Sequence, residues 1–451
     1  MPRSLGAPVA AYFRSFSPAR RPLLSRRSYA WELRAAAMLP IAVACVEGNV
    51  LGVLANKAFQ AHEYVVAAIA AATPIALLSS PLWARLFHRR DRIRTINVLQ
   101  LATVACVAAV AAAPFNATGV AILLVAAYLA RLCLTGVITG RSDVWRANYP
   151  RADRARATGA ITIVTTIAVA LTALVIARSM DVEGLAGHGY RAVYALAIVA
   201  GLAGVWAYAH VRWRGRARHL AHERGLSDLE LDVPGPRAMI RVLKRDHLYR
   251  RFMIAQFILG APNIAAMPTF IIALEDVFAP DYTRSILLVH VIPIAIPALV
   301  IPLWARFLDR VHVIRFRALH SWTFVLANTL LAIGFLTGVE PVIWAARVTL
   351  GVAFGGGMLA WSLGHHDFAT RELAGIYMGI HATLTGVRGF IAPFLGVMLY
   401  AGAHTGDLTI VPSLGGWVFL VLAATGAVGA LMFVRLAALH RRLHGDDAPG
   451  E

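Results

Sequence analysis

Residues 81–94, PLWARLFHRRDRIR, return as residues 302–315, PLWARFLDRVHVIR, with eight of the fourteen positions identical at a constant offset of 221. That offset is close to half of the 451 residues, so the chain reads as two copies of one unit. Mean hydropathy is +0.65, and apolar runs of about twenty residues recur along nearly the whole length, which makes each unit membrane-embedded.

The runs predict an all-α polytopic protein with twelve spans, at 35–56, 64–84, 95–113, 118–139, 157–177, 191–211, 252–274, 284–305, 318–337, 341–363, 375–402 and 415–435. The organisation is a basic N-terminal tail (1–34), a six-helix bundle (35–211), a central polar loop (212–251), a second bundle (252–435) and a C-terminal tail (436–451). Six spans before the central loop give both halves the same orientation, so they are parallel repeats about a pseudo-two-fold axis along the membrane normal.

Basic residues resist translocation and fix the orientation. With both termini cytoplasmic, the inner segments carry 36 of the 43 Lys and Arg, whereas the external loops carry four: Lys57, Arg178, Arg191 and Arg284. This places the chain as a multi-pass protein of the plasma (inner) membrane. The net charge of +19 is then the signature of those inner loops, suited to lipid headgroups, and it calls for no nucleic-acid partner. The arginines of the first 34 residues superficially suit a transit peptide, but a basic inner tail explains them more simply. Cys45, Cys106 and Cys133 all lie in apolar spans, which suggests neither a disulfide framework nor a thiolate metal site. No Gly-Lys-Ser/Thr loop is present, so no nucleotide motor and no cofactor is expected.

Six plus six spans, a long basic central loop, and a basic motif repeated between spans 2 and 3 and between spans 8 and 9 resemble the major facilitator superfamily of secondary transporters. The family's loop motif is matched by Leu82, Arg85, Arg89 and Arg90 and less completely by Leu303 and Arg306, with Ala84 and Ala305 where the family has an acid. A second pattern, Arg-x-x-x-Gly, is met by Arg347 and Gly351 in span 10, while in span 4 Arg131 has its glycine one place late, at Gly136. The resemblance implies alternating access, with spans 1, 4, 7 and 10 lining a central cavity and spans 2, 5, 8 and 11 along the seam. Arg85 and Arg306 are then read as coupling the rigid spans at the gate, together with Asp143 and Asp367 at the matching ends of spans 4 and 10.

A charge at the centre of a span persists only with a partner or a use. Glu47 in span 1, Arg131 in span 4, Arg347 in span 10 and Arg388 in span 11 are such charges and sum to +2. Guanidinium binds carboxylate or phosphate through paired hydrogen bonds, so the excess points to a small anionic organic substrate. Arg388, Arg131 and Arg347, with Asn263 and Asn49, are the candidate substrate residues. Glu47 is the candidate proton carrier, because a shielded carboxyl can exchange a proton when its partner is displaced. His290 and His381 are candidate relays. Glu47 and Arg131 can equally be a structural pair, and Arg347 and Arg388 can bond backbone carbonyls. Proline and glycine in spans 7, 8, 10 and 11 suggest gating flexibility in the second half.

Gly364-His365-His366-Asp367, with Glu372 nearby, offers a different chemistry, a metal or acid–base site in a polytopic enzyme. Third and fourth ligands are not evident, and Asp143 at the equivalent place favours a gate. A transport-dead receptor or scaffold of the same fold is a further alternative.

Overall fold

The computed structural model describes residues 16–182, 188–225, 236–370, 373–405 and 408–444. Backbone in hydrocarbon must satisfy its own hydrogen bonds. The described chain is accordingly helical apart from one short hairpin, Ala403–Thr405 with Leu408–Val411. Among the described residues eleven helices are long and apolar enough to cross a membrane, and a bent pair makes the twelfth span.

In the first half, span 1 comprises Leu23–Cys45 and Gly48–Lys57, and span 2 comprises Glu63–Leu77 and Ser80–Phe87. Spans 3 to 6 are Arg92–Ala111, Ala117–Asn148, Arg151–Met180 and Gly189–Ala209. The second half has span 7 at His247–Phe278, span 8 over Tyr282–Leu308, and spans 9 to 12 at Val313–Thr337, Glu340–Leu363, Ala374–Ala401 and Val418–His444. Two short helices, Arg216–Gly225 and Pro236–Arg245, flank the centre of the linking loop. Each set of six packs as one bundle, in the parallel two-bundle arrangement that the repeat predicts.

Span 1 begins at Leu23, inside the stretch read from hydropathy as a tail. Its charged first turns are held by other spans: Arg21, just before it, pairs with Asp153 at 2.8 Å, and Glu32 accepts from Trp145 Nε1 at 2.6 Å. Span 9 likewise begins earlier than its apolar run, at Val313, which carries Arg317 into the helix with only 2% of its surface exposed.

The duplicated motif builds one corner twice. Asp91 caps span 3 by accepting from Arg94 N, and His312, 221 residues on, caps span 9 by accepting from Ile314 N. Trp83 lies where a Cβ on Gly136 of span 4 would be, and Trp304 lies against Gly356 of span 10 while donating to Val352 O at 3.0 Å. Asp143 closes the first corner on Arg92 at 3.3 Å; Asp367 closes the second on the amide of Val313, the residue matching Arg92. Packing against a glycine, rather than a preference for the interface, therefore accounts for the repeated tryptophan. The 48° bend between the two pieces of span 2 is not repeated in span 8. It falls where Pro81 has no amide for Leu77 O, which Ser80 Oγ takes instead at 2.8 Å.

The halves meet along spans 2 and 11, where Gly386 and Gly389 leave room for Leu78 and Pro74, and along spans 5 and 8. They are latched at the end opposite the described chain termini. There Lys57 pairs with Glu275 and donates to Pro280 O, and Asp181 accepts from the amides of Tyr282 and Thr283 at 2.8 and 2.9 Å. At the terminus-bearing end, the polar contacts among the described residues tie each bundle to itself or to the linking loop: Arg92 with Asp143 and Glu223, Asp91 with Arg216 at 2.6 Å, and Tyr377 with Asp246 at 2.8 Å. Arg85 and Arg306 are exposed at that end.

Candidate functional site

The sequence-selected residues fall into two clusters. The first is organised by two interruptions of helical geometry. Span 1 breaks at Val46-Glu47, where Glu47 is extended (φ −68°, ψ 130°) and heads the helix Gly48–Lys57. A break leaves carbonyls unpaired at one helix end and amides at the next, with opposite partial charges. Tyr194 Oη donates to Cys45 O at 2.5 Å and Arg131 Nη2 to Val46 O at 3.2 Å, so a cation meets the carbonyl end. The Glu47 carboxylate sits at the amide end and pairs with Arg131 at 2.6 Å.

Across the seam, span 8 carries a π-turn at Leu287–Val291. Ile292 N donates to Leu287 O, and Pro293 has no amide, so the carbonyls of Leu288 and Val289 lose their helical donors. Arg347 of span 10 supplies the replacement, donating from Nε to Leu288 O at 2.7 Å and from Nη2 to Val289 O at 3.2 Å, with its guanidinium 4.2 Å over the Phe270 ring. Asn49 reaches from span 1 to Val289 O at 3.5 Å and His290 Nδ1 at 3.4 Å. Glu47, Asn49, Arg131, His290 and Arg347 thus form one group bridging the halves. The hydrogen bonds of Arg347 go to backbone.

The second cluster lies within the second half. Arg388 donates to Gln256 O at 2.7 Å and lies 3.3 Å from Thr385 Oγ1, entering span 7 where Gly260 has no side chain; a Cβ there would collide with the guanidinium. It lines a cavity of about 570 Å³ together with Gln256, Asn263, Arg317, Trp361 and Thr385. Asn263 Nδ2 donates to Leu259 O at 3.0 Å, and its Oδ1 accepts from Asn328 at 3.3 Å. His381 is buried, 5.7 Å from the Trp361 ring, with Nε2 unpartnered.

Hydropathy does not mark Arg317 as a site residue, because it precedes the apolar run of span 9 and counts with the inner loop. Gln256, His320 and Thr385 read in sequence as ordinary polar residues. Comparing the two halves is the signal that marks Arg317, since the matching residue of the first half is Ile96.

Several glycines of spans 10 and 11 mark close approaches. Gly351 meets Ile296, Gly355 Val300, Gly356 His320 and Trp304, and Gly396 the Ala265 carbonyl. The His365 and His366 rings lie 4.1 Å apart, tilted by 34°, but Asp367 is engaged by Val313 N at 2.7 Å and Glu372 lies outside the described residues. Among the described residues no three His, Cys, Asp or Glu side chains group to hold a metal.

Solved structures share this architecture. A mutant of the nucleoside transporter NupG superposes with a TM-score of 0.70 at 14% identity, over 90% of this chain and 98% of its own. The inward-open conformation of the xylose transporter XylE from E. coli gives 0.63 at 13%, over 90% and 95%. A POT family transporter in complex with 5-aminolevulinic acid gives 0.67 at 11%, over 93% and 97%. Identities this low establish the fold alone. No curated protein matches the chain by sequence. The family description Major Facilitator Superfamily matches residues 36–393, and with twelve spans in two parallel bundles the chain belongs to that superfamily as an integral membrane protein.

Proposed function

We propose that the protein is a secondary active transporter that carries a small anionic organic solute by alternating access and couples the movement to protons. The observation that carries the reading is Arg388: a guanidinium 7% exposed, on a cavity wall that presents no carboxylate among the described residues. A buried cation without a counter-ion is costly, and an anionic ligand supplies the missing charge. Asn263 and Thr385 add hydrogen-bonding groups on the same wall.

Glu47 is the proton carrier in this reading. Its carboxylate meets Arg131 at a helix break, beside Asn49, which reaches the opposite half, so protonation there alters a contact between the two moving bodies. His290 is its neighbour across the seam. His381 adjoins the anion cavity and is the second relay candidate.

The 36-to-4 distribution of Lys and Arg supports cytoplasmic termini in the plasma membrane. On that orientation the Lys57 and Asp181 latches close the external side, and the conformation faces inward. Arg85 and Arg306, exposed in this state, are assigned to the opposite closure, with Asp143 and Asp367 bracing the two corners.

The test is uptake into proteoliposomes with and without an inward pH gradient, across a panel of organic anions, cations and neutral solutes. Gradient-driven accumulation of an anion supports the reading. Transport confined to neutral or cationic solutes rejects the anion assignment, and transport indifferent to pH rejects the coupling.

A further inference from the structure

Arg388 is not alone in its cavity. Arg317 enters the same space from span 9, 2% exposed, and each of the two guanidiniums has an Nε without a hydrogen-bond partner. Two buried cations on one wall without an acid among the described residues repel one another, an arrangement that folding alone does not favour.

Arg317 is also held in place. His320 donates from Nε2 to Ala353 O at 2.8 Å, which leaves its Nδ1 as an acceptor facing Arg317 Nη1 at 3.2 Å. The imidazole rests against Gly356, where any side chain would displace it, and the Trp304 ring meets it edge-on at 4.9 Å. A residue that merely survived in the interior would not need an oriented neighbour to fix its fork.

The internal repeat supplies an independent argument. At the offset of 221, Arg317 and His320 correspond to Ile96 and Leu99, and Arg388 falls within Thr165–Ile167. At these matched positions the first half carries apolar and hydroxyl side chains, so the repeat does not itself require a basic pair there. Around it the cavity is apolar and aromatic, with Phe324, Phe354 and Trp361 on its walls.

From these observations we infer that the cavity recognises a doubly charged organic anion with an apolar or aromatic body, Arg388 taking one negative charge and Arg317 the second. The inference rests on the anion reading above and narrows it. A dicarboxylate and a phosphate monoester share the required chemistry.

The experiment is equilibrium binding to the purified full-length protein in detergent. The probes are benzoate, the three benzenedicarboxylates and phenyl phosphate. At least one dianion should bind roughly 10-fold tighter than benzoate, or more, the scale of one charge-assisted hydrogen-bond pair. Whether dicarboxylate or phenyl phosphate leads identifies which of the two sources the site accepts. Arg317→Gln should erase that margin while leaving benzoate within about 2-fold of its original affinity, whereas Arg388→Gln should weaken all probes. Arg317→Lys, which keeps the charge but not the fork, should fall between.

Equal affinity for benzoate and every dianion in the unaltered protein overturns the inference, whether or not the variants fold. Equal weakening of both probe classes by Arg317→Gln, in a protein of unchanged melting temperature, overturns it as well. Failure of the transport reading would look different: binding preferences intact, but no counterflow of any probe in proteoliposomes.

Discussion

Glu47 and Arg131 complement the two ends of a broken helix, the carboxylate at the amide end and the guanidinium at the carbonyl end. Glu47→Gln retains a hydrogen-bonding side chain and removes the titratable one. It should abolish the response to a pH gradient while preserving exchange of substrate between the two sides, measured as counterflow. If the variant instead loses its fold in detergent and Arg131→Gln added to it restores folding, the pair is structural and the proton role falls. For Arg388→Gln the expected loss is about 1.5–3 kcal/mol of anion binding. Gly260→Ala should cost binding too, because the new methyl occupies the place of the guanidinium, and a melting temperature measured alongside separates that from unfolding. Glu47, Arg131, Arg347 and Arg388 were legible as charges inside the bundles because a charge inside an apolar run announces itself. Arg317 was not, since burial at the end of a span depends on which helices pack over it, and a hydropathy run contains no record of that.

Span 8 shows how one element can be specified by its defects. Pro293 and the π-turn free two carbonyls, and Arg347 and Asn49 take them, which turns a loss of helical bonding into a connection between spans 1, 8 and 10. Arg347→Gln should therefore destabilise the protein, and Pro293→Ala, which returns an amide near those carbonyls, should reduce that cost. A double-mutant cycle on thermal stability measures the coupling, and strict additivity would disconnect the two residues. The short helix Arg216–Gly225 gives a pH test outside the membrane-spanning segments. Burial pushes the Glu223 carboxyl up, but the bonds from Arg92 and the Arg89 amide, with the charges of Arg92 and His88, outweigh it and hold it below the usual range. A depressed carboxylate contributes its stabilisation above its unfolded pKa, about 4.3, and loses it as pH falls through the lower folded value. Proteolytic protection of this helix should be level from neutral pH to about 5 and decline only in stronger acid; loss already near pH 6 would assign the docking to a histidine instead. Prolines in span 8 were visible in the sequence, yet the hydropathy pattern named only weakness there, because which side chains fill the freed positions is a matter of tertiary contact.

The two-bundle arrangement was the most legible feature of the chain, since a repeat at half its length and a run of apolar segments leave few topologies open. What hydropathy missed was the state of the assembly: the latches at Lys57 and Asp181 join residues far apart in sequence. For topology, a single cysteine at Ala61 should react with an impermeant reagent applied to intact cells, and one at Arg218 should not; the reverse pattern would invert the orientation. Lys57→Ala should loosen the latch, increasing the accessibility of cavity cysteines from the Ala61 side, and unchanged labelling would show that Asp181 suffices. The composition adds an unplanned convenience. Lys57 and Lys244 are the only lysines in the chain, one locked in the seam and the other on the linking loop, exposed. Acylation of ε-amines followed by mass spectrometry thus reads the opening of the native, unlabelled protein at a single atom, with Lys244 as the internal reference for reagent dose.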